Sequence, residues 1–277
     1  MYVFKTQNEL RAYLTDKQKI GFVPTMGALH DGHIQLIHQS TSENEYTGCS
    51  IFVNPTQFNN QHDFDKYPIT HEKDMALLLK AGCDFLFLPV VDEMYPEGIK
   101  TKYSYDLGYI DTILEGSHRP GHFQGVCAIV HKLLLAVKPT HLYMGEKDFQ
   151  QCMVVKRLLE LTSMSVQLII CPTLRDEDGL AKSSRNTRLS SSARQQANGI
   201  YNCLKYIHDQ YTTHSFDVLQ QNCLEQLSTL GFTTEYIALA DANNLTIMDT
   251  FDIDKKMVVL IAAVLEGVRL IDNMRLN

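Results

Sequence analysis

The sequence of 277 residues lacks an excess of basic residues and lacks any apolar stretch long enough to cross a membrane. Its 25 Lys and Arg against 32 Asp and Glu give a net charge of −7, which argues against non-specific nucleic-acid binding. The longest uninterrupted apolar run, Met257–Leu265, is far shorter than the roughly 20 residues of a membrane-spanning helix. The first residues show no basic region followed by an apolar one, so we expect no signal peptide. We therefore expect a cytoplasmic protein with neither nucleic-acid nor membrane partners.

Paired cysteine motifs are also missing. The sequence has seven cysteines but no Cys-x-x-Cys, and apolar neighbours flank most of them, as at Cys127. An odd number of scattered thiols in apolar surroundings is typical of reduced, buried cysteines in a cytosolic protein. None lies in a context that would activate a thiol, so we expect no cysteine nucleophile.

The most informative pattern that is present spans residues 20–38. An apolar run that predicts a buried parallel strand is followed by a turn and then by the start of a helical pattern. His30 and His33 lie three positions apart at the helix entrance, with Gly27 and Gly32 close by. Free backbone N–H groups and the positive end of the helix dipole attract anions at such a place. Two imidazoles there predict a site that follows charge as it develops on a phosphate.

A metal pair is the alternative for these two histidines. Zinc ligands on a helix are more usual at i and i+4, and no third Cys, His or carboxylate stands nearby at ligand spacing. A single histidine at a helix start is also often only a cap or a surface residue. We favour the phosphate site and expect no protein ligands for a metal.

Polar residues also follow two later predicted strands. Asn54 and Gln57 come after the strand predicted over 46–53, and Lys147 and Asp148 come after another. The loops at the carboxyl ends of strands form the ligand crevice of an open α/β sheet. Lys147 would there meet phosphate, and Asp148 would accept ribose hydroxyls. The alternatives are plain Asn-Pro turn chemistry and a solvated Glu-Lys-Asp turn.

A polar loop over 172–188 contains Lys182, Ser183, Ser184 and Arg185. Hydroxyls, backbone N–H groups and a guanidinium in series suit a polyphosphate. The composition also fits a flexible interdomain linker.

The order of predicted elements divides the chain in two. Strands alternate with helices up to residue 171, including a strand predicted over 84–91, and this order is typical of a parallel α/β sheet. From Ser190, helices predicted over 190–208 and 216–230 precede short strands, which suggests an α+β module. We predict domains at 1–173 and 174–277.

Five blocks, in order between residues 20 and 190, together carry a resemblance to a known family. The sequence resembles the pantoate–β-alanine ligases at PTMGALHDGH (24–33), FVNPTQF (52–58), RPGHFQGV (119–126), GEKDFQQ (145–151) and DGLAKSSRN (178–186). Beyond Ser190 the resemblance is mainly one of length and element order.

This resemblance implies a Rossmann-like nucleotidylyltransferase domain that binds ATP and pantoate, followed by a smaller α+β lid domain. The His-x-Gly-His signature is shared with class I aminoacyl-tRNA synthetases. Two steps are implied. The pantoate carboxylate attacks the α-phosphate of ATP, with Mg²⁺ present, and gives pantoyl adenylate and pyrophosphate. The amine of β-alanine then attacks the adenylate and gives pantothenate and AMP. A homodimer is also implied.

The resemblance also assigns residue roles. His30, His33 and Lys147 would be catalytic, with His33 as the usual acid. Ser183, Ser184 and Arg185 would hold the β and γ phosphates, and Gly145 and Asp148 the ribose. The implied ATP-binding set is Met26, Gly27, Ala28, Leu29, His30, Asp31, Gly32, His33, Gly145, Glu146, Lys147, Asp148, Leu174, Lys182, Ser183, Ser184 and Arg185. The implied set for pantoate and β-alanine is Gln57, Gln151, Asn54, Tyr67 and, as an apolar wall, Met26.

Three positions depart from the family pattern. Lys182 stands where Met or Leu is usual, Ile69 where Arg is common, and Ala128 where Thr is common. Lys182 adds a phosphate contact or simply faces solvent. The alternative functions are another adenylyl- or cytidylyltransferase of the same superfamily and a nucleotide- or tRNA-binding regulator without activity.

Overall fold

The computed structural model of the chain describes residues 1–58, 64, 67–99 and 104–277. These residues form two units. Unit 1 comprises Met1–Gly145 and Gln150–Cys171, and unit 2 comprises Glu146–Phe149 and Pro172–Asn277. The functional domain limits at 1–173 and 174–277 stay a prediction, and the two units are described separately.

A six-stranded parallel sheet is the centre of unit 1. Its strands are β1 (Tyr2–Phe4), β2 (Ile20–Thr25), β3 (Tyr46–Ile51), β4 (Phe85–Phe87), β5 (His141–Gly145) and β6 (Gln167–Cys171). Their order is β1-β4-β3-β2-β5-β6, and every recorded pairing is parallel. The chain winds outward in opposite directions from β2 and from β5. Ligands of open α/β sheets bind at the carboxyl ends of strands at such a switch point.

Helices connect the strands of this sheet. They are α1 (Gln7–Leu14), α2 (Asp31–Glu43), α3 (His71–Lys80), α4 (Val91–Met94), α5 (Leu114–His118), α6 (His122–Val137) and α7 (Phe149–Thr162). Most residues of α6 are buried, in keeping with its largely apolar sequence. The seven cysteines are all free and buried, as predicted.

Two predicted strands are longer than the observed ones. The strand predicted over 46–53 ends at Ile51, and the one predicted over 84–91 is reduced to β4. Pro89 lacks an N–H for a sheet ladder, and the neighbouring strand β1 has only three residues. Pairing therefore ends before the apolar pattern does.

Unit 2 combines helices with an antiparallel sheet. The helices are α8 (Ser191–Gln196), α9 (Gly199–Gln210) and α10 (Phe216–Thr229), and the strands are β7 (Thr233–Asp241), β8 (Ile247–Met248), β9 (Met257–Leu265) and β10 (Val268–Arg275). The sheet order is β10-β9-β7-β8. The α/β class and the α+β second part are thus confirmed.

The single helix predicted over 190–208 is wrong, because the chain turns between α8 and α9. Gly199 begins α9, and a Cβ at this position would lie 2.6 Å from Leu230 Cδ1. Glycine allows that approach but is a poor helix former, so the helix starts anew at this point.

Within the described ranges, no helix has the length and apolar character needed to cross a membrane.

Candidate active site

The turn between β2 and α2 is the first part of the site. The Thr25 hydroxyl donates to the carbonyl of Ser50 at 2.8 Å and accepts from the Gly27 N–H at 3.1 Å. Gly27 has φ +84°, and Ala28 follows with φ +50°, so two successive residues adopt the left-handed region. A Cβ on Gly27 would lie 3.0 Å from an Ile51 methyl carbon. A side chain at position 27 would therefore strain the backbone and press against Ile51.

The buried carboxylate of Asp74, on α3, fixes this turn through hydrogen bonds to its backbone. Asp74 is completely buried, and it accepts from the N–H groups of Ala28 at 2.9 Å and Leu29 at 2.8 Å. Thr70 is the N-cap residue of α3, and its hydroxyl donates to Asp74 at 3.0 Å. Asp74 was not predicted from the sequence. The sequence feature that could have revealed it is the position of Asp74, one helical turn before Leu78 and on the same buried face of the helix.

The two histidines close the N-terminus of α2 together. The helix begins at Asp31, so His30 is its N-cap and His33 its third residue. His30 Nδ1 accepts from the Gly32 N–H at 3.1 Å, and His33 Nδ1 accepts from the His30 N–H at 3.4 Å. Because both Nδ1 atoms are acceptors, each neutral imidazole carries its proton on Nε2. Their ring centroids are 4.1 Å apart, so this turn presents two adjacent N–H donors of the kind that suits phosphate oxygens.

Met26, Asn54 and Gln57 come together at the carboxyl ends of β2 and β3. Gln57 Nε2 donates to Met26 Sδ at 2.8 Å, and Asn54 Nδ2 donates to Gln57 Oε1 at 3.3 Å. Gln57 and Met26 are half-buried, whereas Asn54 is only 1% exposed. The buried Asn54 therefore orients the side-chain amide of Gln57.

Tyr95 supports Asn54 and was also missed. Its hydroxyl donates to Asn54 Oδ1 at 2.8 Å, and its side chain is buried. Burial raises the pKa of Tyr95, so the phenol keeps its proton and remains a donor. The sequence offered no signal beyond a tyrosine in a loop.

The remaining predicted pocket residues of unit 1 lie on other elements. Tyr67 packs edge-on against Phe58, with ring centroids 5.9 Å apart. Gln151 is half-buried in the first turn of α7. Its neighbour Gln150 has a structural role instead, because it is buried and its side chain accepts from the Glu115 N–H at 2.9 Å.

In unit 2, the turn Glu146–Asp148 is held by side chains of β10. Asn273 Nδ2 donates to the carbonyls of Glu146 at 2.8 Å and Lys147 at 2.9 Å, and Arg275 Nε lies 2.5 Å from Glu146 Oε1. The Lys147 side chain is 16% exposed and lies 3.5 Å from Asp148 Oδ1. These contacts show a fixed turn and disfavour a loose solvated one. Asn273 and Arg275 were not predicted.

The loop that carries the predicted polyphosphate ligands is also ordered. Leu174 accepts from the Lys182 N–H at 2.9 Å, and Ser183 Oγ accepts from the Arg185 N–H at 3.3 Å, capping a short 3₁₀ turn over Ser184–Arg188. Asn186 Nδ2 donates to the Ala181 carbonyl at 3.0 Å. These bonds make a hydrogen-bonded hairpin and turn, which disfavours the flexible-linker alternative.

Charged groups at the base of this loop pair with one another. Lys182 Nζ lies 2.7 Å from Asp176 Oδ1, so its ammonium forms an ion pair and does not simply face solvent. Arg194 lies 3.0 Å from Asp176 and 2.6 Å from Asp178. The hydrogen bond from Arg194 lowers the pKa of Asp178. Arg175 forms a bidentate ion pair with the buried Asp272, with N–O distances of 2.5 and 3.0 Å.

The residues that the structure describes include no cluster of three His, Cys, Asp or Glu side chains that could hold a metal ion. They therefore offer no all-protein cage.

Comparison with known protein families gives a match over almost the whole chain. The family model described as pantoate-beta-alanine ligase matches residues 2–275. The chain is 44% identical over 275 residues to a pantothenate synthetase of Cytophaga hutchinsonii, which covers 96% of each protein. It is 42% identical over 270 residues to a pantothenate synthetase of Bacteroides fragilis, covering 97% of this chain and 95% of that protein.

Solved structures agree in fold as well as in sequence. The pantothenate synthetase of Thermus thermophilus superposes with a TM-score of 0.93 at 39% identity and covers 99% of both chains. A pantoate-beta-alanine ligase of Francisella tularensis, complexed with beta-gamma ATP and beta-alanine, superposes with a TM-score of 0.83 at 37% identity. That match covers 99% of this chain and 97% of the other.

Proposed function

The chain belongs to the pantoate-beta-alanine ligase family and joins pantoate to β-alanine with the use of ATP, and we propose that this ligation proceeds through a pantoyl adenylate. The observation that carries the proposal is the pair of imidazoles at the N-terminus of α2. Their Nδ1 atoms accept from backbone N–H groups, so in the neutral rings Nε2 carries the proton that would be donated to a phosphate oxygen. Such a pair suits transfer of an adenylyl group, in which charge moves across a phosphate.

In the first step, an oxygen of the pantoate carboxylate attacks the α-phosphorus of ATP. The bond to the bridging oxygen breaks, and pyrophosphate leaves with that electron pair. Both reactants are anionic, so catalysis is mostly positioning and charge neutralisation. We assign the contact with the reacting phosphates to His30 and His33, with His33 as acid, and additional positive charge to Lys147.

In the second step, the amine of β-alanine attacks the acyl carbon of the adenylate, and AMP leaves. No protein nucleophile is needed. Burial raises the pKa of the Cys83 and Cys127 thiols to about 12, so at neutral pH these cysteines are protonated and poor nucleophiles. The acyl adenylate is easily hydrolysed, and a lid formed by residues 174–277 would exclude water from it.

The binding roles follow the same division. We assign pantoate to Gln57 and Gln151, with Met26 as an apolar wall and Tyr67 and Asn54 as further pocket members. We assign the β and γ phosphates to Ser183, Ser184, Arg185 and Lys182. The adenosine and ribose contacts would come from the turn Met26–Gly32, from Gly145, Glu146 and Asp148, and from Leu174.

We also propose that Mg²⁺ arrives with ATP, where it would neutralise triphosphate charge, and that the protein is a cytoplasmic homodimer. A titration of Mg²⁺ at fixed ATP tests the first point, because activity should follow the concentration of the magnesium complex of ATP. Size-exclusion chromatography with light scattering tests the second, since a dimer has twice the mass of the chain.

The decisive experiment measures pyrophosphate release from ATP with and without pantoate and β-alanine. We expect release that requires pantoate, and AMP and pantothenate that accumulate only when β-alanine is also present. Release that required β-alanine as well as pantoate would contradict a free-standing adenylation step. ATP binding without any effect of pantoate on pyrophosphate release would contradict the residues assigned to the pantoate pocket.

A further inference from the structure

The block 119–126, at the start of α6, takes no part in the two steps above. His122 is the first residue of α6 and is 5% exposed. Its Nδ1 lies 2.8 Å from the backbone carbonyl oxygen of Gln57. Because a carbonyl oxygen can only accept, the proton in this hydrogen bond belongs to Nδ1. The tautomer of His122 is therefore opposite to that of His30 and His33.

Two further contacts join the same segments. A Cβ built on Gly125 would lie 2.3 Å from the Thr56 carbonyl oxygen and 2.9 Å from Gln57 Cα, so only glycine permits this backbone approach. The Gly125 carbonyl also accepts from Asn54 Nδ2 at 3.1 Å. The turn 54–57 is thus fixed to the first turn of α6 at three points.

The side chain of Gln57 is oriented at the same time. Its contacts with Met26 Sδ and Asn54 Nδ2 use one of its two N–H groups and one lone pair of its oxygen. The amide retains the capacity to donate one hydrogen bond and to accept one. A hydroxyl next to a carboxylate, as in a 2-hydroxy acid such as pantoate, complements that arrangement.

We propose that His122 is a positioning residue for pantoate binding, because its Nδ1–H fixes the backbone of Gln57 and, with it, the carboxamide that meets the substrate. This inference rests on the proposed role of Gln57 in pantoate binding. His122 need not touch the substrate. A misplacement of about 1 Å at a binding group can cost about 100-fold in rate, so loss of this hydrogen bond should be visible in kinetics with pantoate.

The test compares His122→Asn with His122→Gln. The amide nitrogen of Asn takes the place of Nδ1, whereas that of Gln takes the place of Nε2 and leaves the Gln57 carbonyl without its donor. We expect His122→Asn to keep the KM for pantoate within about 3-fold, and His122→Gln to raise it by about 10-fold or more, with the KM for ATP unchanged. His131→Asn, on the same helix, is the control for loss of an imidazole.

A second measurement uses the unmodified protein, so the inference is testable even if a variant does not fold. With ¹⁵N-labelled histidine, the NMR spectrum should show His122 protonated at Nδ1, and its signal should shift when pantoate is added. Protonation only at Nε2 would overturn the inference. An unchanged KM for pantoate in His122→Gln would also overturn the inference. Equal increases in the KM for pantoate and the KM for ATP in this variant would do the same.

A Gln57→Ala variant, measured in parallel, distinguishes failure of the proposed role of Gln57 from failure of the proposed role of His122. If Gln57→Ala leaves the KM for pantoate unchanged, the proposed role of Gln57 fails. If Gln57→Ala raises that KM while both His122 variants leave it unchanged, only the inference about His122 fails.

Discussion

The carboxylate of Asp74 accepts a hydrogen bond at 2.8 Å from the backbone N–H of Leu29, a residue 45 positions earlier in the chain. The same carboxylate accepts from Ala28, which has a positive φ. An anion buried beneath a turn that is proposed to bind phosphates is electrostatically unfavourable for ATP. Its presence is explained if the geometry of the turn matters more than the added negative charge.

Asp74→Asn tests this balance. The amide cannot accept from both N–H groups, so one buried donor loses its partner, at a cost of about 1–3 kcal/mol in the free energy of unfolding. We expect a higher KM for ATP and a lower kcat for pyrophosphate release. If charge repulsion dominated, removal of the charge would lower the KM for ATP instead. Glu72→Gln, an exposed residue in the same helical turn, is the matched control.

His33→Ala and Lys147→Ala test the proposed catalytic groups. Each should reduce pantoate-dependent pyrophosphate release by at least about 100-fold, because each removes a group that would stabilise developing charge. His38→Ala is the control, since His38 is exposed on the same helix as His33. Full activity in either variant would exclude the role assigned to that residue. Denaturant unfolding should accompany the His33 measurement, because His33 Nδ1 also caps the His30 N–H.

Local patterns in the sequence predicted most of the fold. The helix predicted over 216–230 matches α10, Phe216–Thr229, to within one residue, because its apolar residues follow the helical period and Gly231 follows its end. The break between α8 and α9 was not predicted. It depends on the fit of Gly199 against Leu230, which no local window contains.

The residues of the candidate site likewise include some that local patterns predict and others that they do not. The motif residues at strand ends could be predicted, because a crevice at the carboxyl ends of parallel strands needs polar groups there. The residues that hold these motifs in place could not. Asp74 contacts a turn 45 residues away, and Asn273 contacts Lys147 across 126 residues. Such pairs depend on tertiary packing and leave only weak traces in one sequence.

Tyr95→Phe tests the support behind Gln57. The substitution removes the hydrogen bond to Asn54 Oδ1 and keeps the ring, so the expected cost is about 0.5–1.5 kcal/mol in the free energy of unfolding. We expect the KM for pantoate to rise by about 3-fold, with the KM for ATP unchanged. Tyr109→Phe is the control, since Tyr109 is 50% exposed. An effect on ATP but not on pantoate would show that Asn54 does not act through Gln57.

Lys182 and Asp176 form the last testable pair. Their side chains are 27% and 26% exposed, and a pair of this kind contributes at most about 1 kcal/mol to stability. If Lys182 binds the triphosphate, it must leave Asp176 when ATP arrives. We then expect Lys182→Met to raise the KM for ATP by about 3- to 10-fold, and Asp176→Asn to lower it, because the ammonium is released from its competitor.

The double variant distinguishes this role from simple neutralisation of Asp176. If Lys182 only screened the carboxylate from the phosphates, removing both charges would restore the KM of the unmodified enzyme. If Lys182 contacts phosphate, the double variant should keep the raised KM of Lys182→Met, because the cation is missing whether or not Asp176 is charged. The coupling between the two substitutions, measured from the four KM values, therefore decides the role of a lysine at a position where the family usually has Met or Leu.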